Sequence, residues 1–322
     1  MTITKSVPGL LMVAAGLTGC ALLEDSTGSA VVKQAKPVQT QEIRPEPGEQ
    51  VLTFLLAGDA GTGNAHQHRV AAGMAKVARE YPAGGVLYLG DNFYEFGVTS
   101  VTDSQWESAF TDVYTDPALQ IPFYAVLGNH DYILNEQAQV EYSSRNPRWI
   151  MPDRYYTRTV AIQPGDSVRL IGLDTNLLLD ETDTTQQLSW LDSVLTSSPV
   201  RYQVVFAHHP LYTGGEHGDN AVLQKMLSRR LEKAGVLLYA TGHDHHLEVM
   251  DPQPTVWHVI SGAAGKSRSV TWSARTRFAA TNLGFMTLHL SDSRAWIQVY
   301  DADGNRLYSE LLSTKMSGLR PF

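Results

Sequence analysis

The stretches VLTFLLAGD (51–59), GVLYLGDNFY (85–94) and PFYAVLGNHD (122–131) decide how this chain folds. Each is an apolar run that stops at Gly-Asp or Gly-Asn. An apolar run without polar alternation suits a strand buried on both faces. Between them, Ala65 to Tyr81 and Ser104 to Tyr114 carry helical spacing. Further along, residues 135–145 read as helix, SVRLIGLDT (167–175) as strand and Thr185 to Leu195 as helix. Tyr202 to Ala207 is a strand ending at His208-His209. Asn220 to Ala234 is an amphipathic helix, and VLLYATGHDHH (236–246) is a strand running into a His cluster. Strand alternating with helix predicts an α/β domain. From about Glu248 to Leu311 short strands separated by turns such as Asp303-Gly304-Asn305 suggest a second, mixed sheet.

The polar residues fall repeatedly at the carboxyl ends of apolar strands, the edge where open α/β sheets bind ligands. In order the tips are Gly58-Asp59-Ala60-Gly61, Gly90-Asp91-Asn92-Phe93-Tyr94, Gly128-Asn129-His130-Asp131, Ala207-His208-His209-Pro210, Glu216-His217-Gly218 and Gly242-His243-Asp244-His245. Carboxylates, an amide, imidazoles and a phenol without thiolate suit iron, zinc or manganese. One Gly-Asp after a strand is usually only a turn. Five of these, all but Glu216-His217-Gly218, close an apolar strand, and in this order they point to a common site.

Composition limits the alternatives. The chain has 322 residues, 43% hydrophobic and 18% charged, so it can bury a sizeable core. Its net charge of −8 argues against a nucleic-acid-binding surface. That charge does not exclude a phosphorylated substrate, because metal ions add positive charge that the count misses. The single cysteine, Cys20, rules out an intrachain disulfide and a thiolate cluster.

The start MTITKSVPGLLMVAAGLTGC has Lys5, an apolar run from Val7 to Leu17 and then small residues, the layout of a secretory signal. The run is shorter than the roughly 20 residues of a membrane span. Leu17-Thr18-Gly19-Cys20 resembles the lipobox of bacterial lipoproteins. That resemblance implies a signal peptide over 1–19, a lipid on Cys20 and attachment to the membrane through that anchor only. Ala21 rather than Asp follows, which favours the outer membrane, periplasmic or surface-facing. Residues 20–50, polar and Pro-rich, read as a flexible tether, 51–312 as the folded domain and 313–322 as a tail.

The order GDxG, GDxxY, GNH, His before Pro and GHxH resembles the calcineurin-like metallophosphoesterases. The Tyr of the second motif narrows this to purple acid phosphatases, and GDNFYEFGV, GNHDY, EHG and GHDHHLE look closest to the tartrate-resistant acid phosphatase branch. The resemblance covers roughly residues 51–312. It implies a four-layer αββα sandwich with two mixed sheets and a two-metal site at strand carboxyl ends. Iron would lie between Asp59, Asp91, Tyr94 and His245. Zinc, iron or manganese would lie between Asp91, Asn129, His208 and His243, with Asp91 as bridge.

It also implies Asn129, His130 and His217 at the substrate, with His130 and His217 catalytic. The reaction would be an acid phosphatase's: attack by a metal-bound hydroxide on a phosphate monoester, a small molecule or a phosphoprotein, with an acidic optimum. His209 and His246 read as lying outside the ligand set. Asp131 either orients His130 or caps the next helix. His66, His68, His258 and His289 read as structural or solvent-facing. Lys266, Arg268, Arg275 and Arg277 either contact an acidic ligand or are solvated. A phosphodiesterase or nucleotidase on the same scaffold, a non-catalytic phosphate-binding lipoprotein and a redox role of the metal pair are the rival readings. Oligomeric state is not legible in the sequence.

Overall fold

The computed structural model describes residues 41–180 and 184–314. The signal segment, Cys20 and the end of the tail lie outside the described residues. In chain order the elements are β1 (Leu52–Ala57), α1 (Ala65–Glu80), β2 (Ala83–Tyr88), β3 (Phe123–Ala125), α2 (Gln137–Tyr142), β4 (Trp149–Ile150), β5 (Tyr156–Gln163) and β6 (Asp166–Gly172). They continue with α3 (Thr175–Leu179), α4 (Thr184–Leu195), β7 (Tyr202–Phe206), α5 (Ala221–Lys233), β8 (Leu238–Thr241), β9 (Leu247–Met250) and β10 (Trp257–Ser261). The last four are β11 (Thr276–Ala280), β12 (Gly284–Leu290), β13 (Arg294–Asp301) and β14 (Arg306–Thr314).

The strands form two mixed sheets of seven, ordered β14-β13-β12-β1-β2-β3-β4 and β11-β9-β10-β8-β7-β6-β5. Each contains four neighbouring parallel strands, β1 to β4 in the first sheet and β6, β7, β8, β10 in the second. Antiparallel strands flank them. The sheets pack face to face, with α1 outside the first and α3 to α5 outside the second. The strand-rich tail does not build a sheet of its own. Its strands divide between the two, because β12 pairs with β1 and β10 pairs with β8.

The unbroken apolar runs follow from this layering. In β7, Val204 and Phe206 join the core between the sheets, and Val205 joins the cluster under α3 to α5. In that cluster Leu223, Leu227 and Leu231, each fully buried, repeat every fourth residue along α5. Emptying one of these positions, as in Leu227→Ala, costs about 2–5 kcal/mol. Helix starts are set by side chains: Asn64 Oδ1 accepts from His66 N–H and Gln67 N–H, and Asn220 Oδ1 accepts from Leu223 N–H.

Two expectations shift. Ser104 to Tyr114 is not one regular helix. It contains a five-residue π-helical turn, Glu107–Thr111, that seats Trp106 and Phe110 against Trp149. The stretch expected as tether is fastened to the domain over its last part. Gln298 Nε2 donates to the Ile43 carbonyl at 2.9 Å, and Tyr81 OH donates to Glu42. Glu49 accepts from Arg294, Ser291 and Ser293. Burial opposes the charge of Glu49, but those donors outweigh it and hold the carboxyl down at about 2. The segment is polar because ionic and backbone bonds fasten it, not apolar burial.

Candidate metal centre

The carboxyl ends of the two parallel cores meet along one seam, and backbone bonds sew it shut. Gly58 N–H donates to the Ser261 carbonyl at 2.8 Å, and Ala264 N–H donates back to the Gly58 carbonyl. Asp59 N–H donates to Gly90, and Gly242 N–H to His208. At the seam the chain turns sharply. Asp59, Asp91 and His243, with φ of 56°, 51° and 69°, are the only non-glycine residues with positive φ among the described residues. The left-handed region costs an L-residue roughly 1–2 kcal/mol. Three such residues at one place mark a site where side-chain direction outweighs backbone comfort. Gly61 serves the same closure: a Cβ there would stand 2.1 Å from the Asn92 carbonyl oxygen.

Seven side chains converge at the seam as two groups. In the first, Tyr94 OH lies 3.2 Å from Asp59 Oδ1, 2.9 Å from Asp91 Oδ2 and 3.1 Å from His245 Nε2. His245 Nε2 is 3.4 Å from Asp59 Oδ1. In the second, Asn129 Oδ1 lies 3.0 Å from His208 Nε2 and 3.1 Å from His243 Nδ1. Those two nitrogens are 3.1 Å apart, and His208 Nε2 is 3.5 Å from Asp91 Oδ1. Asp91 thus turns one oxygen to each group. Phe93 takes the packed position next door, fully buried against Trp106, while Phe96 is exposed.

Both groups fit a cation. Two ligands each about 2.1 Å from one ion, at ordinary coordination angles, stand about 3.0–3.4 Å from each other. The spacings above match that. The second group also carries too few protons to satisfy itself. His208 Nδ1 donates to the Leu89 carbonyl at 2.9 Å, which in the neutral ring leaves Nε2 a lone pair. It faces an amide oxygen and a second imidazole nitrogen. With both rings neutral at most one hydrogen can bridge the three, and a cation satisfies all of them.

The two acids, Asp59 and Asp91, favour positive charge at the seam. Burial, then the charges of Asp59 and Asp91, push the Tyr94 phenol far above its usual range. Only a bound cation would make it ionise here. Burial and the neighbouring imidazoles push His243 down. For His208 burial pulls down, but Asp91 and Asp59 outweigh it and raise it, so the acids favour either a second proton on this ring or a cation in that proton's place.

His130 N–H donates to Asp91 Oδ1 at 3.0 Å, its Nδ1 pairs with the Glu95 carbonyl at 2.6 Å, and its ring lies 4.7 Å from that of Tyr94. The ring of His217 is 4.1 Å from that of His243, and Asp244 Oδ1 accepts from its Nδ1 at 2.7 Å. His209 lies beside His208 and His243, but its Nδ1 pairs with Thr175 Oγ1 at 2.8 Å. His246 pairs with the fully buried Glu248.

Asp131 neither orients His130 nor caps a helix. Its carboxylate accepts from the N–H groups of Asn92, Phe93 and Gly128 and from Gln139 Nε2, tying the second tip to the third. Burial and the charge of Asp91 push it up to about 7, against donors that favour the ionised form. The loop cations meet carboxylates of their own chain: Lys266 with Glu95, Arg268 with Glu216, Arg275 with Asp219 and Arg277 with Asp251. Lys266 Nζ also sits 3.8 Å from the centre of the Tyr94 ring.

Sequence reasoning missed Asp244. It is 2% exposed and accepts from Thr213 Oγ1 at 2.6 Å as well as from His217. Gly215 packs so close that a Cβ would stand 2.3 Å from the Asp244 carboxyl carbon. The signal was present as an acid between two candidate ligands, with Gly-Gly just before His217.

Among known proteins, residues 41–247 match the calcineurin-like phosphoesterase family. Tartrate-resistant acid phosphatase type 5 of Oryctolagus cuniculus is 33% identical over 300 residues, spanning 83% of this chain and 92% of its own length. Purple acid phosphatase 3 of Arabidopsis thaliana is 30% identical over 296 residues, 83% of this chain and 79% of its own. Of solved structures, GAP50, the anchor in the inner membrane complex of Plasmodium, aligns with a TM-score of 0.77 at 23% identity, over 83% of this chain and 90% of its own. Purple acid phosphatase PPD1 from yellow lupin (Lupinus luteus) seeds aligns at 0.66 and 16% identity, over 84% and 55%. At those identities the likeness to the two structures is one of fold.

Proposed function

The chain belongs to the calcineurin-like phosphoesterases as a dinuclear-metal acid phosphatase of the purple acid phosphatase kind, and from that premise we propose how its own residues divide the work. Asp59, Asp91, Tyr94 and His245 hold one ion, and Asp91, Asn129, His208 and His243 hold the other. The observation that carries this reading is Asp91, whose two oxygens face two separate donor sets. The first set, two carboxylates and a phenol with one imidazole, suits iron. The second, richer in imidazole, suits zinc, iron or manganese.

When bound, the ions supply the positive charge that neutralises a phosphoryl group and lowers the pKa of attacking water. The chain does the rest. The His130 N–H holds Asp91 Oδ1 in place, while its ring stands over Tyr94 at the phosphate side. Asp244 fixes His217 with Nδ1 as donor. His217 Nε2 is then left to meet the phosphate or to pass a proton to the leaving oxygen. Asn129, beside both imidazoles, also borders the phosphate.

The test is metal analysis with a visible spectrum, run beside a pH profile on monoester and diester substrates. Two metals per chain, a visible band, an acidic optimum and preference for the monoester are expected. Tyr94→Phe should bleach the band while keeping part of the activity. A band of full strength in that variant would remove Tyr94 from the iron.

We also propose that Cys20 carries a lipid and tethers the domain to the outer membrane. The Leu17-Thr18-Gly19-Cys20 pattern supports this. Among the described residues no helix is long and apolar enough to cross a membrane. Cys20→Ala or globomycin should abolish processing and membrane attachment. Unchanged fractionation would end the proposal.

A further inference from the structure

A hydrolase of phosphate monoesters needs room for the alcohol that leaves. A cleft of about 430 Å³ opens beside His243 and His217, bounded by the end of α3 and the first turn of α5. Leu179, Pro210, Ala221 and Val222 give it an apolar wall. Among the described residues no lysine or arginine lines it, and the one carboxylate that does, Asp219, is engaged by Arg275 at 2.5 Å.

Two observations elsewhere point the same way. Five large apolar side chains are exposed among the described residues. Four of them, Phe96, Ile133, Leu134 and Val222, stand on the segments that carry Tyr94 and His130 or that follow His217. Of these Val222 lines the cleft itself, and an exposed apolar side chain in a cleft is a surface that a ligand can cover. The loop cations that could greet a polyanionic alcohol are instead paired with Glu95, Glu216, Asp219 and Asp251.

We infer that this cleft is the leaving-group subsite and that it selects an uncharged, apolar alcohol, aryl or arylalkyl, over a polyol or a polyanion. The inference rests on the monoester-hydrolase reading. The apolar wall loses water when a ring lies on it, and that gain is absent for an alcohol clothed in hydroxyls. A second phosphate on the alcohol would have to compete with Glu95, Glu216, Asp219 and Asp251 for the four loop cations.

The experiment compares kcat/KM for 2-phenylethyl phosphate and glycerol 1-phosphate, two esters of primary alcohols, with metal-loaded protein. The phenylethyl ester should be preferred about tenfold or more. Val222→Asp should cut that ratio about tenfold, and Val222→Phe should keep or raise it. Leu179→Asp serves as the second variant and should also lower the ratio. A wild-type ratio near one overturns the subsite. So does a loss in both Asp variants that falls equally on the two esters. Metal-loaded protein that turns over neither ester overturns the hydrolase reading, and the subsite with it.

Discussion

Two buried polar clusters in this molecule each hold histidine beside a side-chain amide, and they differ in what they demand. Around His289, inside the first sheet, Nδ1 meets Thr53 Oγ1 at 2.9 Å, and Nε2 meets Thr287 Oγ1 at 2.7 Å and Gln298 Oε1 at 3.2 Å. Gln298 gives its own amide N–H to the Ile43 carbonyl, so its oxygen accepts. One tautomer, with Nε2–H donating and Nδ1 accepting from a hydroxyl, satisfies every group. At the seam, with the rings neutral, the lone pairs of His208, His243 and Asn129 confront each other, and three residues sit in a costly backbone conformation. A buried cluster closed by its own protons is structural. One that cannot close itself is built for a cation.

The largest effect should come from breaking the atom that both halves of the seam share. Asp91→Asn removes the charge between the two donor sets and should lower kcat/KM by at least about 10³-fold. Metal analysis should show the pair reduced to one ion or none. Near wild-type turnover with both metals retained would mean that the convergence at Asp91 is no bridge.

A smaller effect should follow one step out from the centre. Asp244→Asn keeps the size of the side chain but removes the carboxylate that fixes His217, and should lower kcat about 10–100-fold with metal content unchanged. If Asp244 acts through His217, the double variant Asp244→Asn, His217→Ala should be no slower than His217→Ala alone. Additive losses would make Asp244 a support for the metal ligands on either side of it.

The contrast between the clusters also explains what the sequence could and could not reveal. Asp59, Asp91, Asn129, His208 and His243 follow buried strands directly, and strand ends are legible as the points where apolar runs stop. The α/β order was legible for the same reason. Asp244 was not, because its role depends on a loop that returns to it from thirty or so positions upstream and on Gly215 leaving space. Asp131 sat in a motif but bonds backbone on another loop, which no local pattern encodes. The division of the tail between the sheets is set by pairing across more than two hundred positions, as in β1 with β12. Glu49 read as tether because an ion pair with Arg294, not apolar periodicity, holds it.

The last test moves to the closed cluster and is thermodynamic. Burial pushes His289 down from its ordinary 6.5 to about 3. The folded protein therefore keeps this ring neutral, while the unfolded chain takes up a proton as pH drops below about 6.5. Stability is full above the unfolded value and is lost as pH falls from there towards about 3. Between pH 7 and pH 5 this one group should cost about 2 kcal/mol. His289→Gln keeps a polar partner for the threonines and cannot titrate. Its unfolding free energy in urea should fall by about 2 kcal/mol less than the wild type's over that interval. The difference should be the same with and without metal, since the cluster closes on its own protons. A difference that vanished on metal loading would tie His289 to the seam and dissolve the distinction between the two clusters.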